Sequence, residues 1–278
     1  MRSRFLLINV VTVLVCALII GISTQALAGP TQQKLASESA IEQILQRGVL
    51  RVGMSTFVPW AMKDKKGELI GFEIDMAKRL AQDMGVKIEF VPTKWSGIIP
   101  ALLTGKFDVI IGGMSIRPDR NLKVNFTIPY DYAGQTICVN KSLAAGFKTV
   151  ADFNRSDVKI GVRLGSTSVP AVRKFMPKAE MLQFNEEPAL YQELLNGKIH
   201  AVVASAPTPA FQAVKYPDRL FAITEPLSKE LIGFAVRKGD PDTLNYFNNW
   251  IRQMEAEGFL QDRHQYWFTT RDWAAQVN

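Results

Sequence analysis

The chain has 278 residues, 47 % of them hydrophobic, and a formal charge of +7, which allows one large or two modest domains. Its Lys and Arg residues are scattered and no basic run is interleaved with aromatics, which excludes a nucleic-acid-binding face and leaves a mild bias toward anions. Cys138 is the only cysteine beyond the leading segment that holds Cys16, so an intramolecular disulfide in the mature chain is excluded as well.

The first predicted element is a leader. Met1-Arg-Ser-Arg gives a basic start, residues 5–22 an apolar run, and Ala26-Leu-Ala28 a small-x-small end, the pattern of a secretory signal peptide cleaved after Ala28. The run is also about long enough for an uncleaved anchor, although Asn9 and Thr12 interrupt it. Val15 before Cys16 argues against a lipid anchor. No later stretch reaches membrane length, so the mature chain, residues 29–278, is expected to be soluble and periplasmic.

Residues 50–53 form the next predicted element, a strand. A helix follows over 73–84, with Ala77, Leu80, Ala81 and Met84 on one face, and Gly85 ends it. Val86, Ile88 and Phe90 alternate as a half-buried strand. Ser96 opens a helix that ends at Gly105, and residues 107–111 form a buried strand. Cys138 falls in an apolar stretch and reads as an inert buried thiol. A second unit runs through a strand at 159–164, a helix after Gly165, a strand at 180–184, a helix at 189–195 and a strand at 199–204. A strand at 231–237 and amphipathic helices from Asp240 to about Trp267 complete the chain. Alternating strands and helices predict an α/β fold with mainly parallel sheets.

Two echoes organise these elements. Leu102-Leu-Thr-Gly-Lys-Phe-Asp-Val-Ile-Ile111 returns as Leu194-Leu-Asn-Gly-Lys-Ile-His-Ala-Val-Val203, and Val49-Leu-Arg-Val-Gly53 as Val158-Lys-Ile-Gly-Val162. Two echoes in one order predict two related lobes. Residues 40–139 and 233–278 are assigned to lobe 1 and residues 140–232 to lobe 2. Chain crossings near 139–142 and 229–233 would form a hinge. Ligands of open α/β sheets bind beyond the carboxyl ends of the strands, so two facing lobes predict a cleft.

The residues that would face such a cleft come from a few loops. Gly113-Met-Ser-Ile-Arg-Pro-Asp-Arg120 follows a buried strand, and Pro118 suits the first turn of a short helix. Ser115 and Arg120 would stand where a ligand is expected, and an arginine offers two parallel donors to a carboxylate. The same spacing suits a solvated arginine on a short helix. In the second lobe, Ser166 or Thr167 can cap a helix whose first-turn N–H groups favour an anion, or can serve as a plain cap. Phe57, Trp60, Trp95, Tyr130 and Tyr132 can wall the apolar part of a ligand or belong to the core. His200 and His264 lack metal-ligand spacing, and neither a metal nor a cofactor is expected.

Gly71-Phe-Glu-Ile-Asp-Met-Ala-Lys-Arg-Leu-Ala81 resembles the signature of the family 3 extracellular solute-binding proteins, the amino-acid-binding class of ABC importers. The Gly113–Arg120 segment, Phe126-Thr-Ile-Pro-Tyr130 and Gly165-Ser-Thr167 recur at that family's order and spacing, and the resemblance covers about Ile41 to Trp267. It implies a type II periplasmic-binding-protein fold, two lobes on a two-crossing hinge, and a permease of the inner membrane as partner. It also implies that Arg120 grips a ligand carboxylate with help from Ser115, Gly113 and Thr167, and that Phe57 and Trp95 stack on the ligand side chain.

One position departs from the pattern. Amino-acid binders carry an aspartate for the ligand's ammonium where this chain has Ser205. A serine leaves a buried ammonium without its counter-charge, so either another acid compensates, Glu186 or Glu187, or the ligand is not an ordinary α-amino acid. The sequence is also similar to periplasmic cyclohexadienyl dehydratases, through Val91-Pro-Thr-Lys-Trp95 and the tail with His264, Trp267 and Trp273. There the resemblance matches the general-acid glutamate to Thr208, whose hydroxyl cannot protonate a leaving hydroxyl near neutral pH. A binding protein for a small carboxylate or amino acid, rather than an enzyme, is therefore expected.

Overall fold

The computed structural model describes residues 39–277. The expected leader, residues 1–28, lies outside the described residues.

Each lobe is built on a five-stranded sheet. In the first the strand order is Lys87–Pro92, Val49–Met54, Val109–Ile110, Ala235–Val236 and Asn125–Phe126. In the second it is Glu180–Phe184, Lys159–Arg163, Ala201–Ser205, Gln135–Asn140 and Leu220–Ile223. The two orders correspond strand for strand. In each sheet the first three strands are parallel, and the fourth runs antiparallel to both its neighbours. That fourth strand is each time the one that has just crossed from the other lobe. Four strands of each sheet therefore run in one direction, as a mainly parallel sheet requires, and the crossing strand alone runs against them.

The crossings themselves are the strands Asp131–Ala133 and Glu230–Ile232, which pair antiparallel. This sets the first crossing earlier than residues 139–142, where the sequence analysis places it. Gln135–Asn140 is paired along most of its length with Ala201–Ser205, so residues 135–139 belong to the second sheet. Thr136-Ile-Cys-Val139 is apolar enough to be buried in either sheet, and burial alone does not reveal which one. The predicted strand at 231–237 is two short strands, broken around Gly233 where the chain leaves the hinge for lobe 1.

The helix Phe72–Asp83 buries Phe72, Met76, Ala77, Leu80 and Ala81, and Gly85 follows it with φ 68° in the left-handed region that glycine tolerates. The two sequence echoes are packed on one another. A Cβ on Gly53 would lie 2.3 Å from the ring of Phe107. A Cβ on Gly161 would lie 2.6 Å from Ile199, the residue that answers Phe107 in the second echo, and 2.3 Å from Leu190. In both lobes the second strand of the sheet omits a side chain so that a large residue from the other echo can lie across it.

The carboxyl-terminal segment returns to lobe 1. The helices Pro241–Ala256 and Phe259–His264 and the π-turn Gln265–Thr269 bury Trp250 and Trp267 in its core, and Trp273 joins them. Asp240 caps the long helix through the Thr243 N–H at 3.0 Å and accepts the Ala40 N–H at 2.6 Å, which ties the first described helix, Ala40–Arg47, to the last long one. Among the described residues no helix is long and apolar enough to cross a membrane.

Candidate functional site

The carboxyl ends of the parallel strands in both sheets open on one cavity. Phe57 follows Val49–Met54, Trp95 follows Lys87–Pro92, and Gly113 and Ser115 follow Val109–Ile110. From the other lobe, Arg163 and Ser205 end their strands, Ser166 to Ser168 open a helix, and Glu187 opens the helix Glu187–Leu195. Gln135 begins an antiparallel strand and so reaches the same edge, in register opposite Ser205.

Arg120 sits on the short helix Pro118–Asn121, with Pro118 in its first turn as the sequence predicts. It is only 7 % exposed, which rules out the solvated alternative. Its guanidinium donates to the Ser115 carbonyl at 3.0 Å and, across the lobes, to the Gly165 carbonyl at 3.2 Å. Burial lowers its pKa to about 10, with neighbouring Arg117 adding to the effect, so it remains a cation at neutral pH. Gly113 has φ 63°, and a Cβ there would meet the Phe57 ring at 2.7 Å.

Thr167 occupies the cap position of the helix Ser168–Phe175 without capping it. Its hydroxyl instead accepts from Gln135 Nε2 at 3.0 Å. Ser166 Oγ donates to the Arg163 carbonyl at 2.7 Å and accepts the Ser168 N–H at 3.3 Å. The Ser115 hydroxyl donates to Glu230, on the second crossing strand. Glu230 also accepts from Ser228 Oγ at 2.7 Å and Gln135 Nε2 at 3.1 Å, while Gln135 Oε1 accepts from Ser168 Oγ at 2.6 Å. Gln135 therefore links the hinge to both the helix start and Thr167.

Arg163 was not singled out from the sequence. Its guanidinium lies between the Phe57 and Trp95 rings, 5.0 and 4.7 Å from their centres. Its polar neighbours are Ser55 Oγ at 3.4 Å and Glu187 at 3.8 Å. Burial pushes the Glu187 carboxyl up to about 7, against the pull of Arg163, and its Oε1 has no hydrogen-bond partner among the described residues. Of the two acids that the sequence offers in place of the missing aspartate, Glu187 lines the cavity and Glu186 is exposed.

Trp60 is placed differently from the expectation. It does not line the cavity but stacks behind Phe57, with ring centres 5.6 Å apart, and its Nε1 donates to the Ala206 carbonyl of the other lobe at 3.2 Å. A loop aromatic two residues past Val58 reads the same whether its ring faces the cleft or the core. Tyr130 is buried and donates to both oxygens of Glu73, at 2.7 and 2.9 Å, whereas Tyr132 is exposed. Burial drives the Glu73 pKa to about 8, opposed by the Tyr130 and Gly113 hydrogen bonds. Thr208 is fully buried outside the cavity, and its hydroxyl donates to the Val58 carbonyl across the lobes. His200, half-buried just before the strand Ala201–Ser205, accepts the Lys159 N–H on its Nδ1 at 3.0 Å, away from the cavity.

Arg163, Gln135, Ser168 and Glu230 are the polar residues that sequence reasoning missed. Lys159–Arg163 reads as an ordinary strand whose last residue points to solvent. Gln135 and Glu230 acquire their positions only from the crossings.

Residues 50–270 match the profile of the bacterial extracellular solute-binding proteins, family 3. The L-cystine-binding protein TcyJ of Escherichia coli (strain K12) is 32 % identical over 253 residues, covering 90 % of this chain and 94 % of that protein. Cyclohexadienyl dehydratase of Pseudomonas aeruginosa is 28 % identical over 239 residues, 85 % of this chain and 88 % of that one. Among solved structures, the ancestral amino acid-binding protein AncCDT-1, a precursor of cyclohexadienyl dehydratase, is 44 % identical with a TM-score of 0.76, covering 83 % of this chain and 100 % of that one. The two lobes, the cavity at their strand ends and the profile match along most of the chain agree: the protein belongs to family 3 of the bacterial extracellular solute-binding proteins.

Proposed function

We propose that this protein is the solute-binding component of an ABC importer. A signal peptide cleaved after Ala28 carries it to the periplasm, where it captures a small carboxylate, an amino acid or a close relative of one, for a permease of the inner membrane. The observation that carries this reading is Arg120, a cation buried at the strand ends of lobe 1 and already bonded across to the Gly165 turn of lobe 2. A ligand carboxylate on its guanidinium replaces carbonyl acceptors with a charged one. Ser115 and the Gly113 backbone complete that side, and Thr167 and Ser166 bring the helix start from the other lobe. Phe57 and Trp95 form the aromatic walls, Trp60 supports Phe57 from behind, and Ser205 faces Gln135 at the far wall. Ligand binding shifts the open and closed lobe populations and performs no chemistry. In calorimetric titrations against a carboxylate and amino-acid series, Arg120→Ala should weaken binding by about tenfold or more, the worth of a charge-assisted bidentate contact. Unchanged affinity would remove Arg120 from the site.

The likeness to cyclohexadienyl dehydratase favours a second reading, an enzyme acting on prephenate or arogenate. It is the lesser one, because Thr208 stands at the position that the resemblance gives to the catalytic glutamate, and its hydroxyl is engaged with the Val58 carbonyl outside the cavity. Incubation of the purified protein with prephenate should yield no phenylpyruvate; turnover would establish the enzyme instead.

A further inference from the structure

From the placement of Arg163 we infer that the ligand carries a second acidic group, which Arg163 receives while Arg120 holds the first. The inference rests on the carboxylate-capturing function proposed above and narrows its substrate class. Phe57 and Trp95, the two aromatics that the family resemblance assigns to the ligand side chain, already hold a guanidinium between them, and it belongs to the protein. A ligand whose side chain ends in a cation would be driven against Arg163 at close range in a buried site, where like charges repel strongly. One ending in an acid would meet donors that are only loosely used. Ser55 Oγ at 3.4 Å and Glu187 at 3.8 Å both lie beyond the 2.7–2.9 Å of a charge-assisted bond.

Two further observations agree. Arg120 lies 5.8 Å and Arg163 4.7 Å from the same Trp95 ring centre, so one short ligand can span both. Both arginines are buried, and Arg163 is among the charges that hold the Arg120 pKa down. Glu187 balances this pair incompletely, since burial keeps its carboxyl only partly ionised near neutral pH. Glu230, whose charge also acts on Arg120, lies at the hinge outside the cavity lining and is engaged by Ser115, Ser228 and Gln135. The substitution of Ser205 for the expected aspartate removes one more negative charge from the same wall. The cavity lining thus sets two buried guanidiniums against one partly ionised carboxylate, and a ligand with two acidic groups matches them.

The test uses acid and amide isosteres on the purified mature protein. Calorimetric titrations compare L-aspartate with L-asparagine and L-glutamate with L-glutamine, with succinate and glutarate as dicarboxylates lacking an amino group and L-lysine as the cationic control. At least one dicarboxylate or acidic amino acid should bind about tenfold or more tightly than its amide or than L-lysine, the difference expected for one charge-assisted contact. Arg163→Gln should bring the acid and amide to within about threefold of each other, while Arg163→Lys, which keeps the charge, should retain a preference for the acid. Thermal melts confirm that both variants fold. Equal affinity for acid and amide, tighter binding of L-lysine, a preference that survives Arg163→Gln, or uptake of none of the diacids overturns the inference. Arg120→Ala separates the two claims: if it abolishes binding of every probe while Arg163→Gln changes no ratio, carboxylate capture stands and the second acid falls.

Discussion

Glu73 shows how far a single buried group can depart from its ordinary chemistry. It sits in the Gly71–Ala81 signature, where the sequence suggests only an amphipathic helix, yet it is fully buried with Tyr130 donating to both its oxygens. Its pKa is raised from 4.5 to about 8, chiefly by burial, so the folded protein holds this proton more tightly than the unfolded chain does. The stability that depends on it is present in full below pH 4.5, falls as pH rises toward 8 and levels off beyond. Asp131 and Glu187 act in the same sense but end near 7, and His200 and His264, whose pKa values burial lowers, act oppositely and only below 6.5. Between pH 7 and 8.5, then, Glu73 dominates. Thermal melts should show Tm falling by about 2–4 °C over that interval, the effect of roughly 1 kcal/mol on a domain of this size. Glu73→Gln, which keeps an acceptor for Tyr130 and cannot ionise, should flatten the decline; an identical decline in the variant would assign it to another group.

At the scale of elements, the packing of one sequence echo on the other makes a sharper claim than either echo alone. Gly53 exists because Phe107 lies across it, as Gly161 does beneath Ile199 and Leu190. Gly53→Ala should destabilise the protein by about 1–3 kcal/mol, the usual penalty for an extra methyl group in a filled core. Gly97→Ala, where a Cβ would meet nothing within 4 Å, should change stability little. Denaturant titration of both variants tests the comparison, and equal changes would show that the Phe107 ring does not decide. This pairing also explains which parts of the molecule were legible in the sequence. Arg120, Ser115 and Thr167 belong to loops whose local spelling, a strand followed by Gly and a helix start, fixes their place. Gln135, Arg163 and Glu230 gain theirs from strand pairing between distant segments, which no local pattern encodes. Trp60 and the first crossing were misplaced for the same reason: apolar residues reveal burial, and not the surface they are buried against.

For the whole molecule, the hinge and the closing contacts lie on different residues. The crossing strands Asp131–Ala133 and Glu230–Ile232 join the lobes, and Thr208 to Val58 and Trp60 to Ala206 fasten them elsewhere. Thr208→Val removes one of those bonds with little change of shape. It should weaken ligand binding by about threefold to tenfold, the net worth of one such hydrogen bond, with ratios between ligands unchanged. A titration series in which the variant reorders the ligands would place Thr208 at the site instead.

None of those four residues lines the cavity. Arg120 and Arg163 also bond across the lobes from within the cavity, but the Thr208 and Trp60 contacts add tightness from parts of the chain that no ligand touches. Substitutions around Val58 and Thr208 can retune the concentration at which a cell begins to scavenge a nutrient without altering which nutrient it scavenges, so homologues living in rich and poor surroundings could diverge at the fastening while sharing one pocket.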